Sequence, residues 1–242
     1  MKLIEAIDVS KTFKDGSREI TALKETNFSV EAGEFVAVIG PSGSGKSTLL
    51  TILGGLQQPS EGKVLINGNK FSEVSDKDRT QLRFEEIGFI LQASNLVPFL
   101  KVEDQMRLVN KVKSDAYDED KANKLFEALN ITKLRDKYPK DLSGGERQRA
   151  AIARALFHDP SVILADEPTA SLDTERAVEV VEILARETKD KKKATIMVTH
   201  DERLIGYCDK VYYMEDGELR LDEDKSNKEQ PDEAELNGTT TE

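Results

Sequence analysis

Two segments of the chain have the composition of phosphate-binding helix starts, and the first is residues 40–47, GPSGSGKS. It follows the apolar run EFVAVI, so it predicts a strand, a glycine turn and a helix. Glycines let the backbone N–H groups point inward, where the dipole of the following helix adds positive charge. We expect Lys46 to reach the β and γ phosphates of a nucleotide and the Ser47 hydroxyl to bind Mg²⁺. The residues expected to hold the phosphates are Gly40, Pro41, Ser42, Gly43, Ser44, Gly45, Lys46, Ser47 and Thr48.

The second segment is residues 142–149, LSGGERQR. Ser143 and Glu146 have the spacing of a helix capping box, with Gly144 and Gly145 at the first two helical positions. A first turn without side chains leaves its N–H groups open to an anion. Glycine costs about 1 kcal/mol against alanine in a helix, so two glycines together indicate close backbone contact. The alternative is an ordinary capped helix.

Polar residues follow three apolar runs. Asp166 and Glu167 come directly after VILA, Gln92 follows IGFIL, and His200 follows TIMVT. In an open α/β sheet, ligands bind outside the carboxyl ends of the parallel strands. The runs are therefore expected to deliver these side chains to one edge, although a lone histidine is more often structural and a lone glutamine carries almost no information. We assign no chemistry to His158, which is expected at a helix end.

Taken together, these motifs are similar to those of a known family. The combination of GPSGSGKST, Gln92, LSGGERQR, SVILADEP, the triplet SLD at residues 171–173 and His200 resembles the nucleotide-binding subunit of ATP-binding cassette (ABC) transporters, over about residues 1–220. The resemblance implies an α/β fold: a P-loop NTPase core of the ABC ATPase type, with an antiparallel β subdomain and an inserted helical subdomain at about residues 93–158.

The resemblance also implies roles in ATP hydrolysis. Glu167 would polarise the attacking water, and His200 would contact the γ phosphate and position Glu167. Asp166 would hold Mg²⁺ through water, and Gln92 would sense both Mg²⁺ and the γ phosphate. Phe13 stands where relatives often carry tyrosine and would stack on adenine; the alternative is an aromatic packed at the sheet edge. The catalytic set is Glu167, His200, Gln92 and Lys46, and the metal set is Ser47, Gln92 and Asp166.

In the family each ATP is held between two subunits. The Lys46 loop of one copy would face Ser143, Gly144, Gly145 and Glu146 of the other, in a head-to-tail dimer. Bound ATP then bridges the copies, and hydrolysis removes the bridge. Because no internal repeat is visible, the second half is expected from another chain.

Length, composition and charge argue against a membrane-spanning, a secreted or a nucleic-acid-binding protein. A chain of 242 residues, 38% hydrophobic, is long enough for one α/β domain with an insertion, and no apolar run reaches the length of a membrane span. Its start lacks a signal-peptide core, and its single cysteine, Cys208, fits a reducing cytosol. A net charge of −11 argues against nucleic acid as a partner. We expect a peripheral protein on the cytoplasmic face of the cell membrane, with a separate integral-membrane permease in two copies.

Outside the motifs, the pattern predicts sheet segments at residues 3–9, 21–30 and 63–66 and a hairpin at 211–219 around Asp216 and Gly217. Residues 103–113 are expected to be helical, and Leu125, Phe126 and Leu129 line one face of another helix. Residues 221–242 contain eight acidic residues and two lysines and are predicted to be a disordered acidic tail.

Finer resemblance lies in TILGGL at residues 51–56 and ADEPTASLD at 165–173, which are similar to the MacB-like group. In that group, dimer closure moves an extracytoplasmic domain of the permease. ASNLVPFLKV at residues 93–102 and THDERL at 199–204 are most like the haem-regulated exporter ATPases of Gram-positive bacteria. Lipoprotein-releasing and macrolide-type members usually carry Gly-Asn where this chain has Ala170 and Ser171.

This resemblance leaves three alternative functions. The first is an ATPase for export of haem or a similar amphipathic compound, the second is export or sensing of antimicrobial peptides, and the third is a cell-division regulator that controls wall hydrolases without transport. A soluble ABC protein of DNA repair or translation would need two cassettes, a coiled coil or a basic surface.

Residues 93–104 are the candidate docking surface for the permease, because their apolar side chains are expected to be exposed. Packing within the helical subdomain is the alternative.

Overall fold

The computed structural model describes residues 1–16, 18–113 and 116–226. The strands are β1 (Lys2–Asp15), β2 (Arg18–Glu31), β3 (Phe35–Ile39), β4 (Glu61–Ile66), β5 (Asn69–Lys70), β6 (Ile87–Ile90), β7 (Val162–Asp166), β8 (Ala194–Val198), β9 (Lys210–Glu215) and β10 (Glu218–Leu221). The helices are α1 (Lys46–Leu53), α2 (Asp76–Glu86), α3 (Val102–Lys113), α4 (Glu119–Ala128), α5 (Gly144–Phe157), α6 (Thr174–Asp190) and α7 (Glu223–Ser226). Short 3-10 helices cover Thr132–Leu134, Pro139–Asp141 and Glu202–Tyr207.

One sheet is antiparallel, in the order β2-β1-β4-β5. Its two long strands form a hairpin whose register runs from Lys2 opposite Glu31 to Asp15 opposite Arg18. Apolar residues alternate toward one buried face, where Ile4, Val9 and Leu23 are fully buried. The predicted segments at residues 3–9, 21–30 and 63–66 lie inside β1, β2 and β4, so the antiparallel subdomain is confirmed.

The second sheet has six strands in the order β10-β9-β3-β8-β7-β6. All neighbouring pairs are parallel except β9 and β10, which form the predicted hairpin. Strands β3 and β8 are buried along their whole length, as a parallel sheet covered on both faces requires. The carboxyl ends of β3, β7 and β8 therefore meet at one edge.

Helices α3, α4 and α5 share one hydrophobic core, in which Met106, Phe126 and Ile152 are buried. Helix α5 also packs closely on the sheet. A Cβ atom added to Gly88 of β6 would lie 2.6 Å from the carbonyl oxygen of Ala155. The helices expected at about residues 93–158 are thus present, and α5 connects them physically to the parallel sheet.

Regular structure reaches into the predicted acidic tail. Strand β10 ends at Leu221, the N–H of Asp222 donates to the Val211 carbonyl, and α7 covers Glu223–Ser226. The predicted boundary at residue 221 is therefore too early, because pairing with neighbouring backbone continues past it. Residues 227–242 lie outside the described residues.

Candidate nucleotide site

A cavity of about 440 Å³ lies at the carboxyl ends of β3, β7 and β8. It brings together residues that are up to 178 positions apart in the sequence, from Ala22 to His200. The lining residues are Ala22, Gly40, Ser42, Gly43, Gly45, Lys46, Ser47, Thr48, Gln92, Asp166, Glu167, Val198 and His200. Except for Ala22 and Val198, all are residues that the sequence predicts for the site.

The loop before α1 has a shape that glycine alone permits at two positions. Gly40 and Gly45 have φ angles of +143° and +109°. A Cβ atom would lie 2.0 Å from the Met214 carbonyl oxygen at Gly40 and 2.3 Å from that of Ala22 at Gly45. The loop is therefore seated against β9 and β2 and leads directly into the N-terminus of α1, which favours bound anions.

Lys46 extends over this loop. Its Nζ donates to the carbonyl oxygens of Gly40 at 2.8 Å and Pro41 at 2.7 Å. Burial lowers the pKa of Lys46, and the negative charges of Glu167 and Asp166 act in the opposite direction. The cavity thus contains a cation beside a loop of N–H groups, which suits a phosphate chain.

Oxygen atoms of Ser47 and Asp166 lie close together in the cavity, with Oγ and Oδ1 3.4 Å apart. Gln92 adds an amide to the same cavity wall. Hydroxyl, carboxylate and amide oxygens are the ligands that Mg²⁺ prefers. The donor set therefore fits the predicted metal.

Glu167 and His200 form a pair, with 2.9 Å between Oε2 and Nδ1. Glu167 has a φ angle of +48°, unusual for a residue with a side chain, and its N–H donates to the Val198 carbonyl at 3.0 Å. Its side chain is 14% exposed, whereas that of His200 is 74% exposed. The carboxylate is thus held in a fixed orientation toward the cavity, the geometry that a general base needs.

Phe13 is not part of the cavity wall. It lies on β1 opposite Ile20, is 38% exposed, and has the Lys11 ammonium 5.2 Å from its ring centroid. The neighbouring strand β2 does reach the cavity, through Ala22. Stacking of Phe13 on adenine stays a prediction.

The start of α5 has the predicted capping box. The Glu146 N–H donates to Ser143 Oγ at 3.2 Å, and the Ser143 N–H donates to Glu146 Oε2 at 2.7 Å, which lowers the pKa of Glu146. The expected close contact is present at Gly145, where a Cβ atom would lie 2.9 Å from Leu172 Cδ2. At Gly144 it would lie at an ordinary 3.7 Å from Ser171 Cβ.

Residues 143–146 do not line the cavity, so the two phosphate-binding segments of one chain do not share a ligand within that chain. They lie instead beside the triplet at residues 171–173. A ligand held by both kinds of segment would need two copies.

Sequence reasoning missed two polar side chains of α5 that bind the backbone around Gln92. Gln148 donates to the Leu91 carbonyl, and Arg154 donates to the carbonyls of Ser94 and Asn95. The only signal was the position of Arg154 within the apolar run AAIARALF, and its partners lie about 60 residues away.

Three comparisons with known proteins agree with this geometry. The family model described as ABC transporter matches residues 23–170. Proteins named hemin import ATP-binding protein HrtA are 49% identical in Staphylococcus haemolyticus and 46% identical in Staphylococcus aureus, over 88% of this chain and 96–97% of theirs. The structure of the ATP-binding cassette MJ0796, dimeric and bound to ADP and Pi, superposes with a TM-score of 0.86 at 36% identity, covering 90% of this chain and 97% of that one. CbiO1 from Clostridium perfringens has a TM-score of 0.78 at 30% identity, covering 91% and 87%.

The fold and the cavity define a P-loop ATPase of the cassette type. The chain belongs to the ABC transporter family, as its ATP-binding, ATP-hydrolysing subunit. The predicted resemblance to haem-related ATPases is matched by the names of these relatives, which specify import where the sequence predicts export.

Proposed function

We propose that this chain is the motor subunit of a haem efflux transporter, acting as a head-to-tail pair of copies on a separate permease at the cytoplasmic face of the membrane. The observation that carries the proposal is the cavity that unites Lys46, Ser47, Asp166, Glu167 and His200. Relatives named for hemin, nearly as long as this chain, support haem as the compound moved.

In the proposed mechanism, the loop N–H groups and Lys46 bind the phosphates of ATP. Ser47, Asp166 and Gln92 would hold Mg²⁺, which neutralises phosphate charge when bound. Glu167 accepts a proton from the attacking water, and His200, 2.9 Å from it, holds the carboxylate in place. Phe13 would stack on adenine.

The second half of each site would come from the partner copy. Residues 143–146 form the capped start of α5, where Gly144 and Gly145 leave the first turn without side chains. They lie outside this chain's own cavity. The solved neighbour MJ0796 is dimeric, which supports the same arrangement here. ATP would then hold the copies together until its γ phosphate is released.

A loop beside Gln92 supports a permease as the second partner. Phe99 is 76% exposed, while Gln105 of α3 is fully buried. Gln105 accepts from the Val97 N–H at 3.1 Å and donates to the carbonyls of Val97 at 2.9 Å and Leu100 at 3.1 Å. The loop is thus held rigidly with its aromatic side chain outward, as a docking site requires. Leu96 packs into the core instead, so only part of residues 93–104 offers an apolar surface.

Two further properties bear on which partners the chain binds: the length and apolarity of its helices, and its net charge. Across the part of the chain that the structure describes, no helix is both long and apolar enough to cross a bilayer. The net charge of −11 disfavours a phosphate backbone as partner. A peripheral ATPase that binds a membrane protein accounts for both.

Growth under haem stress tests the proposal and the direction of transport. A deletion strain of the source organism should be hypersensitive to added haem and retain more cell-associated haem, and wild-type protein should restore both. Glu167→Gln and Phe99→Asp should not restore resistance, whereas Val112→Asp, at a site 59% exposed on α3, should. Lower haem content in the deletion strain would instead support import, which the relatives' names favour.

A further inference from the structure

The hairpin of β9 and β10 lies against the loop of residues 40–45, although its turn does not line the cavity. Asp216 and Gly217 form the turn, with φ angles of +47° and +75°. The Gly217 N–H donates to the Ser44 carbonyl at 2.9 Å, and the Gly217 carbonyl accepts from the Lys24 N–H at 2.8 Å. The turn therefore joins the phosphate-binding loop to strand β2 of the antiparallel sheet.

Both backbone groups of Ser44 are bound. Its N–H donates to the Pro41 carbonyl at 3.3 Å, and its carbonyl accepts from Gly217. Ser44 is 4% exposed, so water has little access to replace either bond. A buried carbonyl that loses its donor destabilises the conformation that buries it. The Gly217 N–H thus holds the peptide group between Ser44 and Gly45 in one orientation.

That orientation decides where the next N–H points. In a trans peptide the C=O of Ser44 and the N–H of Gly45 point in opposite directions. The Ser44 carbonyl is directed at the hairpin turn, so the Gly45 N–H is directed away from it. Gly45 lines the cavity, where inward N–H groups bind phosphate.

We infer that Gly217 is a positioning residue for the nucleotide, which acts through the Ser44 carbonyl to aim the Gly45 N–H at the bound phosphates. Gly217 lies outside residues 23–170, the part of the chain that the family model matches. The inference requires nucleotide binding in the cavity, and it is independent of haem and of a second copy.

A pair of matched substitutions in the full chain tests it. Gly217→Ala must move the turn, because its Cβ atom would lie 3.2 Å from the carbonyl oxygen of Ala22 and 3.4 Å from Leu23 Cα. Gly68→Ala is the control: Gly68 follows Asn67 in the β4–β5 turn with a φ angle of +73°, and a Cβ atom there meets nothing within 4 Å. The two substitutions share their backbone strain and differ in the contact with the loop.

Titration with a fluorescent ADP analogue should give Gly217→Ala a Kd about 3- to 10-fold above wild type, because a hydrogen bond to a charged phosphate is weakened. Gly68→Ala should keep the wild-type Kd. In Mg-ATP hydrolysis, KM of Gly217→Ala should rise by the same factor while kcat stays within about 2-fold, because the contact is made equally to substrate and transition state. A merely structural role would lower the yield of both folded variants and leave both Kd values unchanged.

A second experiment removes the Gly217 N–H without adding a side chain. Cys208, the single cysteine of the chain, allows a synthetic segment of residues 208–242 to be ligated to residues 1–207, with glycolic acid in place of Gly217. The ester oxygen cannot donate to Ser44, so Kd should rise relative to the same ligated protein with all amides. Equal affinity of the two ligated proteins, or a rise in Kd that Gly68→Ala shares, would overturn the inference.

Discussion

Glu167 combines a strained backbone with a fixed side chain. A left-handed residue with a side chain costs on the order of 1 kcal/mol or more, and such strain persists where the surroundings over-determine it. Here the Val198 carbonyl binds the N–H and His200 contacts the carboxylate. The strain aims the carboxylate at the cavity that contains Lys46.

Glu167→Gln should retain nucleotide binding and lose about 100- to 10,000-fold in hydrolysis rate, because the amide cannot accept the proton of water. Binding of a fluorescent nucleotide and phosphate release, measured on one preparation, check this. Glu202→Gln, on the 3-10 helix after His200, is the control and should leave the rate unaltered. Appreciable turnover by Glu167→Gln would remove Glu167 from the role of base.

At the scale of elements, the central feature is the close approach of α5 to β6. A Cβ atom added at Gly88 would lie 2.6 Å from the carbonyl oxygen of Ala155 and 2.8 Å from Cγ of the Pro160 ring. No other residue type fits there without moving the helix. Because α5 also carries the capped glycines and the contacts to the Gln92 loop, its position relative to the sheet governs both.

Gly88→Ala should destabilise the fold by about 1 to 3 kcal/mol, because overpacking against backbone cannot relax by side-chain rotation. Gly144→Ala is the comparison, since its Cβ atom would make only an ordinary contact, and its unfolding free energy should change by less than about 1 kcal/mol. Urea unfolding of both variants measures the difference. Equal stabilities would contradict the packing described for α5 and β6.

For the whole molecule, residues 143–146 lie outside the cavity that residues 40–48 line, and under the proposed function they would bind the nucleotide of the partner copy. To change the ratio of closed to open pairs of copies from 1:99 to 99:1, ATP must bind the closed pair more tightly than the open pair by about 5.5 kcal/mol. In the proposed dimer, several charge-assisted hydrogen bonds of roughly 1.5 to 3 kcal/mol each, from residues 143–146 to a shared nucleotide, would supply that.

Glu167→Gln saturated with Mg-ATP should therefore sediment as a dimer, and adding Lys46→Ala should return it to monomer because the nucleotide no longer bridges. Analytical ultracentrifugation in the presence of the permease gives the decisive measurement. Monomer in both samples would refute the shared site. Dimer in both would show that the copies associate without the bridge.

Most of the residues that line the cavity were predictable from the sequence. Residues 40–47 form their loop through local glycine geometry, and Asp166, Glu167 and His200 each follow an apolar run whose strand ends at the same edge. Such patterns depend on neighbours in the chain, and parallel strands bring their carboxyl ends together without further information.

Other features were decided only in the folded molecule. The positive φ angle of Glu167, the hydrogen bonds of Arg154 to Ser94 and Asn95, and the extension of regular structure past residue 221 leave no local pattern. Each depends on a partner brought close by packing rather than by sequence. The sequence by itself determined which predicted side chains line the cavity, and the tertiary structure decided which side chains hold them in place, because those contacts join segments tens of residues apart.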